Sequence, residues 1–414
     1  MKIVGIIAEY NPFHKGHEYQ LNASRELSGC DYVAVVMSGN YVQRGEPAII
    51  DKYKRAESAI YGGADLVIEL PLPFSCQNAE IFAKAAVIEL KKLHITHLSF
   101  GCENDDLELL KEIALIQINN KEYNRIIKEE LGKGISYPTA LTNAINKVSD
   151  KNISHIINSP NNILGIEYIK SSIKLNCDWD FVPVKRIGKN HNDNNLSGQY
   201  DSATAIRNEI LKNLSKQSTT SLTDCSKEMI IKFYEEFEGF NHLNNYLNLI
   251  YYKILDIGLV GLNEIYEVSE GLNNKIYKNI FKYDNVDDYI MSLKSKRYTY
   301  AKLRKILLNI LLGITKNDIL KFMLTTSYFG HETLGGDSVN AYVKVLAFND
   351  AGRAIMKEAK NYGTAVINRY SDYKKYNINL AIFNITDKAT NIYYLPFKSR
   401  KINMEYTKNA MYVK

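Results

Sequence analysis

Four short apolar runs in the first hundred residues, KIVGIIA, DYVAVVMS, DLVIELP and HLSFG, alternate with segments whose apolar residues recur at helical spacing. Strands this poor in polar residues need cover on both faces, and a helix after each strand provides it. The expected core is a parallel sheet wrapped by helices, with helices from about His14, over DKYKRAESAIYGG and near NAEIFAKAAVIELKKL. The rhythm resumes with NNILGIEYIKSSIK as a helix, DFVPVKRI as a strand and a last helix opening at SATAIRNEI. Residues 1–215 therefore read as one doubly wound, Rossmann-like α/β unit.

The polar stretch KQSTTSLTDCS, from Lys216 to Ser226, has the composition of a linker. Beyond it the pattern turns mainly helical in KFYEEFEGF, NYLNLIYYKIL and AKLRKILLNILLGI, with mixed segments YVKVLAFND and INLAIFNITD later. A second, mainly helical domain is expected over 227–414. With 414 residues, 45% of them hydrophobic, the chain has material for two or three cores. Its net charge of +6 permits an anionic partner such as RNA or ATP without requiring one.

Cys30, Cys76, Cys102, Cys177 and Cys225 are scattered and form no C-x-x-C pair, which argues for a reducing compartment and against a zinc knuckle. The N-terminus lacks the pattern of a secretory signal, and no uncharged apolar run reaches the ~18 residues of a membrane span. A cytoplasmic protein without membrane attachment is the expectation.

The first strand runs into AEYNPFHKGHEY, where Asn11 and Pro12 suit a helix entry as cap and first-turn residue. His14 and His17 then share one face at a helix N-terminus, with Gly16 between them admitting a ligand to the backbone. Free amides there favour phosphate, and the imidazoles could stabilise charge developing at an attacked α-phosphorus. The pattern H-x-G-H also suits a surface or packing pair, and a metal site would need further ligands. His94 and His97 repeat the spacing at a helix-to-strand junction, where a structural role is the simpler reading.

Two further segments could complete an anion site. MSGNYVQRGEPAIIDKYKRA follows the second strand, where open α/β sheets bind ligands, and offers Gln43 and Arg44 or merely a polar loop. SATAIR places Thr204 and Arg207 in the first turn of a helix, suited to the β- and γ-phosphates and the departing pyrophosphate.

The pair H-x-G-H and S-x-T-x-I-R resembles the nucleotidyltransferase superfamily related to class I aminoacyl-tRNA synthetases, although no K-M-S-K-S-like loop is present. More closely, GIIAEYNPFHKGH, VVMSGNYVQRGEPAIIDKYKRA, GADLVIELPLPFSCQNAEIFA, LSFGCEN, PNNILGIEYI, SATAIR, RYTYAKLRKILLNILLGI and VLAFNDAGR together resemble the bacterial tRNA(Met) cytidine acetate ligase family, nearly end to end.

That resemblance implies a nucleotidyltransferase sheet that makes acetyl-adenylate from ATP and acetate. It then implies acetylation of the wobble cytidine of elongator tRNA(Met). His14, His17, Thr204 and Arg207 would be catalytic. The implied ATP-binding segment comprises Ile7, Ala8, Glu9, Tyr10, Asn11, Pro12, Phe13, His14, Lys15, Gly16, His17, Glu18, Tyr19 and Gln20, completed by Gly101, Asn162 and Arg186. Magnesium is expected with the triphosphate, without a nameable protein ligand.

For tRNA, Lys294, Lys296, Arg297, Lys302, Arg304 and Lys305 form an acid-free basic run interleaved with Tyr298 and Tyr300. Basic groups can contact phosphates and aromatics can stack on bases, while Leu303, Ile306, Leu307, Ile310 and Leu311 mark a core-facing stripe. A solvated helix face would look the same. Two rival readings are a small-molecule adenylyltransferase and a noncatalytic RNA-binding protein.

Overall fold

The computed structural model describes residues 1–149, 154–157, 159–187, 198, 200–212, 220–269, 271–324 and 341–414. The apolar runs form β1 (Ile3–Ala8), β2 (Tyr32–Ser38), β3 (Leu66–Leu70), β4 (His97–Cys102) and β5 (Asp180–Lys185). These five pair in parallel in the order β3-β2-β1-β4-β5. Every residue of β3 is buried, as the absence of polar alternation requires.

Helices cover both faces: α1 (Lys15–Ser28), α2 (Lys52–Tyr61), α3 (Ala79–Lys92), α4 (Pro160–Lys174) and α5 (Ala203–Lys212). The winding reverses between β1 and β4. In such sheets the crevice beyond the carboxyl ends of those strands is the ligand site.

The chain beyond residue 220 is mainly helical, including α6 (Asp224–Phe237) and α7 (Tyr300–Leu312). It also returns to the first sheet with β6 (Tyr342–Phe348), β7 (Ala365–Ile367) and β8 (Met411–Tyr412). Strand β6 pairs antiparallel to β3, and β7 and β8 pair parallel to β6, giving one mixed sheet of eight strands. Residues 216–219 of the expected linker lie outside the described residues. In its remainder, the buried Ser221 donates to Asp201 Oδ2 at 2.8 Å and its carbonyl accepts from Lys15 N at 2.9 Å.

The return is fixed by a buried charge cluster. Lys52 Nζ lies 2.6 Å from Glu69 Oε1 and 2.5 Å from Glu405 Oε1, Lys344 Nζ lies 2.9 Å from Glu69 Oε2, and Lys344 also pairs with Glu405. No described helix is long and apolar enough to cross a membrane.

Candidate active site

The first turn of α1 differs from the Asn-Pro entry expected of the sequence. The helix begins at Lys15 and its cap is His14, whose Nδ1 accepts from Gly16 N at 3.0 Å. Asn11 instead bonds outside the helix, its Oδ1 accepting from Ile49 N at 2.8 Å. An Nδ1 that accepts a backbone N–H leaves the proton of neutral His14 on Nε2, so this ring presents an N–H donor.

The His14 and His17 rings stack with centroids 3.7 Å apart. Burial, together with the charges of Arg186 and Arg207, pushes the His14 pKa down to about 3. Burial, His14 and Arg186 likewise hold His17 well below the ordinary imidazole value. Both rings are therefore neutral at pH 7 in the free protein. Among the described residues the buried His17 Nδ1, Tyr10 hydroxyl and Asn11 Nδ2 have no hydrogen-bond partner, as in a site shaped for a polar ligand.

The depressed His14 pKa has a consequence for stability. Between pH ~6.5 and about 3 the unfolded chain binds the extra proton, so stability rises with pH across that window and is lost as pH falls through it. His14→Asn keeps a capping oxygen but does not titrate. Its thermal midpoint is expected to fall less steeply than that of the wild type below pH 6.5, the two slopes converging above it. Parallel midpoint curves across the whole range would sink this assignment.

The second half of the site comes from α5. Ser202 caps that helix, its Oγ accepting from Ala205 N at 3.1 Å, which frees Thr204. Thr204 Oγ1 accepts from Arg44 Nη1 at 2.9 Å and from Arg207 Nη2 at 3.3 Å. Arg207 Nη1 donates to Asn11 O at 2.8 Å, and its Nη2 lies 3.2 Å from Glu46 Oε1. The carboxyl of Glu46 is raised by burial but lowered more by Arg207, Arg304 and Arg44, and stays ionised. Arg207 and Arg304 pair with this carboxylate, and Arg44 is faced by Glu9 more strongly than by Glu46, so three guanidinium groups stand against two carboxylates beside neutral imidazoles.

A cleft of about 300 Å³ opens at the β1/β4 switch point, lined by Glu9, His14, His17, Gln43, Arg44, Gly101, Arg186 and Arg207 among others. A smaller recess of about 30 Å³ continues between α1 and the end of β5, with His14, His17, Gly101 and Arg186 common to both. Asn162 does not line either cavity. It is 1% exposed, and its Oδ1 accepts from Glu103 N and Asn104 N, fixing the loop after β4 while Asn161 faces the cleft. Glu46 and the aromatic wall of Phe82, Phe100 and Tyr168 were not singled out by the sequence. The acid inside QRGEP was the signal available for Glu46.

A family model for HIGH nucleotidyl transferases matches residues 1–408. The chain belongs to this family. Within it, the chain is 40% identical over 406 residues to the tRNA(Met) cytidine acetate ligase of Thermoanaerobacter sp. (strain X514), covering 97% of both proteins. It is 39% identical over 421 residues to the tRNA(Met) cytidine acetate ligase of Clostridium perfringens, covering 98% of both. The crystal structure of apo Thermotoga maritima TmcAL superposes over the whole of both chains with a TM-score of 0.91 at 31% identity. The same protein bound to alpha-thio ATP gives 0.88 at 30% identity, covering 100% of this chain and 99% of that one.

The basic run is not the single solvated face that its composition suggests. Lys294, Lys296 and Arg297 are exposed, and Lys302 Nζ sits 5.2 Å from the Tyr298 ring centroid. Arg304 turns inward: its Nε donates to Arg44 O at 2.8 Å and its Nη1 to Glu46 Oε2 at 3.1 Å. Lys305 donates to Gln77 O at 2.9 Å, and burial pushes its pKa down to about 8.

The physical cause is the seam between α7 and the hairpin at residues 41–47. Gly45, at φ +80°, lets the hairpin approach so closely that a Cβ there would lie 2.8 Å from Lys305 N. The tyrosines are also committed. Tyr298 is buried with its hydroxyl donating to Ser269 O at 2.7 Å, and Tyr300 bonds Asp287. Leu303, Ile306, Leu307, Ile310 and Leu311 are buried, as their spacing requires.

The other histidine pair has structural partners. His94 stacks on Tyr362 at 4.1 Å, and His97 Nδ1 lies 2.8 Å from Thr96 Oγ1. The five cysteines are free thiols, three of them buried.

Proposed function

We propose that this chain, like the ligases it matches, activates acetate with ATP and transfers the acetyl group to the wobble cytidine of elongator tRNA(Met). The observation that carries the reading is the stacked, neutral His14–His17 pair lining one cleft with Arg207, whose guanidinium also donates to Thr204 Oγ1. An acetate oxygen attacks the α-phosphorus, the imidazole N–H donors stabilise charge on its equatorial oxygens, and pyrophosphate leaves toward Thr204 and Arg207. The exocyclic amine of cytidine then attacks the acetyl carbonyl, and AMP leaves. The magnesium belongs to the triphosphate.

In this proposal residues 1–215 hold the nucleotide, the segment 216–226 is the connection, and 227–414 present tRNA from the cytoplasm. The test is incubation with labelled acetate, ATP and bulk tRNA, followed by digestion of the RNA. Labelled N4-acetylcytidine supports the reading. Transfer of AMP to a small metabolite without label in RNA would favour the adenylyltransferase alternative.

Because Arg304 and Lys305 are spent on the protein, the electrostatic footprint is drawn from the remainder of the run, with Lys294, Lys296 and Lys302 as its lysines. At about 0.7 to 0.9 per phosphate contact, log affinity for tRNA should fall against log salt with a slope of roughly −2 to −3. A slope near zero, measured by filter binding, would rule this surface out.

A further inference from the structure

Three side chains carry charge in an unbroken line from α7 to the cleft. Arg207 on α5 lines the cleft, and its Nη2 lies 3.2 Å from Glu46 Oε1. Arg304 on α7 takes the other oxygen, with its Nη1 3.1 Å from Glu46 Oε2. The side chains of Arg207, Glu46 and Arg304 are only 12%, 16% and 20% exposed, so salt and water screen these charges less than they would on an open surface. Arg304 itself lines neither the cleft nor the recess beside it. Its Nε donates to Arg44 O at 2.8 Å, which aims the guanidinium at Glu46.

Counting charges gives this arrangement a purpose. A carboxylate paired with Arg207 alone would cancel its charge and leave little attraction for an anion in the cleft. Held between two guanidinium groups, the same carboxylate is divided between them, and two cations against one anion leave a net positive charge. Arg44 does not supply that excess, because Glu9 faces it more strongly than Glu46 does. Burial raises the Glu46 carboxyl, but the arginines lower it further and keep it ionised.

We propose that Arg304 is a positioning residue for ATP: by sharing the Glu46 carboxylate it leaves the charge of Arg207 available to the triphosphate. Composition groups Arg304 with the lysines assigned to tRNA, yet its geometry serves adenylate formation. This rests on the reading above that Arg207 meets the triphosphate.

The test titrates magnesium and ATP into the full chain by calorimetry, without acetate or tRNA. Arg304→Met keeps the length of the side chain and removes its charge, so Glu46 falls to Arg207 alone. The Kd for ATP is then expected to rise about tenfold, the order of one close charge pair. Adding Glu46→Gln to Arg304→Met frees Arg207 again and should return the Kd to within about threefold of wild type. Glu46→Gln alone leaves both cations unopposed and should bind ATP at least as tightly as the wild type. Arg304→Lys keeps the charge without the planar fork and should stay within about threefold of wild type.

A residue that merely holds the seam together gives a different pattern, with the double variant no tighter than Arg304→Met and lysine no better than methionine. Either of those results, weaker binding by Glu46→Gln, or an Arg304→Met Kd within about threefold of wild type would overturn the proposal. Where Arg304→Met does not fold, as its thermal midpoint shows, Glu46→Gln and Arg304→Lys decide the matter. Arg207→Ala tests the underlying reading. If ATP affinity survives that change, Arg207 does not meet the triphosphate and this inference falls with the reading; if only Arg207→Ala weakens binding, the inference alone fails.

Discussion

His14→Ala is expected to slow acetate-dependent adenylate formation by about 10²–10³-fold, the usual cost of removing one preorganised donor from a charge-stabilising site. The size follows from how the donor is held. Its Nδ1 is tied to Gly16 N at 3.0 Å, the ring is stacked on His17, and burial keeps it neutral, so Nε2–H needs no reorganisation as charge develops. Because the two rings act on one another, His14→Ala and His17→Ala together should cost less than the product of the single effects.

Binding of tRNA should stay near the wild-type level, since the exposed lysines lie on another part of the chain. Thermal midpoints separate chemistry from folding, because His17→Ala also removes packing against Tyr10 and Phe13. Adenylate formation within about threefold of wild type, in either single variant, would remove the histidines from the mechanism.

What the sequence made legible is what depends on near neighbours. Apolar runs flanked by helical spacing located β1 to β5, and H-x-G-H and SATAIR marked both halves of the cleft. Three features escaped because distant contacts decide them. The cap of α1 moved from Asn11 to His14 because Ile49 N, 38 residues away, claims the Asn11 side chain. Arg304 and Lys305 look identical to Lys302 in a basic run, yet the approach of the hairpin at Gly45 turns both inward.

Of the last three strands, only β6 falls inside a segment marked in the sequence, the mixed run YVKVLAFND. Its partner β3 lies more than 270 positions earlier, and no local periodicity reports such a pairing. A second long-range contact links α7 to the cleft, since Arg304 and Arg207 share the carboxylate of Glu46. Under the proposed function, a tRNA contact on α7 would be two ion pairs, joined at Glu46, from Arg207.

Glu405→Ala should destabilise the fold by about 3–5 kcal/mol, the cost of breaking a buried ion cluster on one side. The cluster balances two lysines, Lys52 and Lys344, against Glu69 and Glu405, and the side chains of Lys52 and Glu405 are fully buried. Thr390 Oγ1 adds a hydrogen bond to Glu405 Oε1 at 2.6 Å. Burial alone would raise the carboxyl, yet Lys344 and Lys52 hold it well below the usual carboxylate range, so it is charged at every physiological pH.

Removing it leaves two cations against one anion in a site water does not reach. Because Lys52 N also donates to Asn40 Oδ1 at 2.9 Å, the damage extends to the loop that carries Gln43 and Arg44. Urea unfolding should show the loss as a lower midpoint, and Glu405→Ala combined with Lys344→Met should recover part of it by restoring charge balance. A loss below ~1 kcal/mol for the single variant, or a double variant that is worse by the sum of both changes, would mean that the four charges act independently and that the sheet is held by its apolar packing alone.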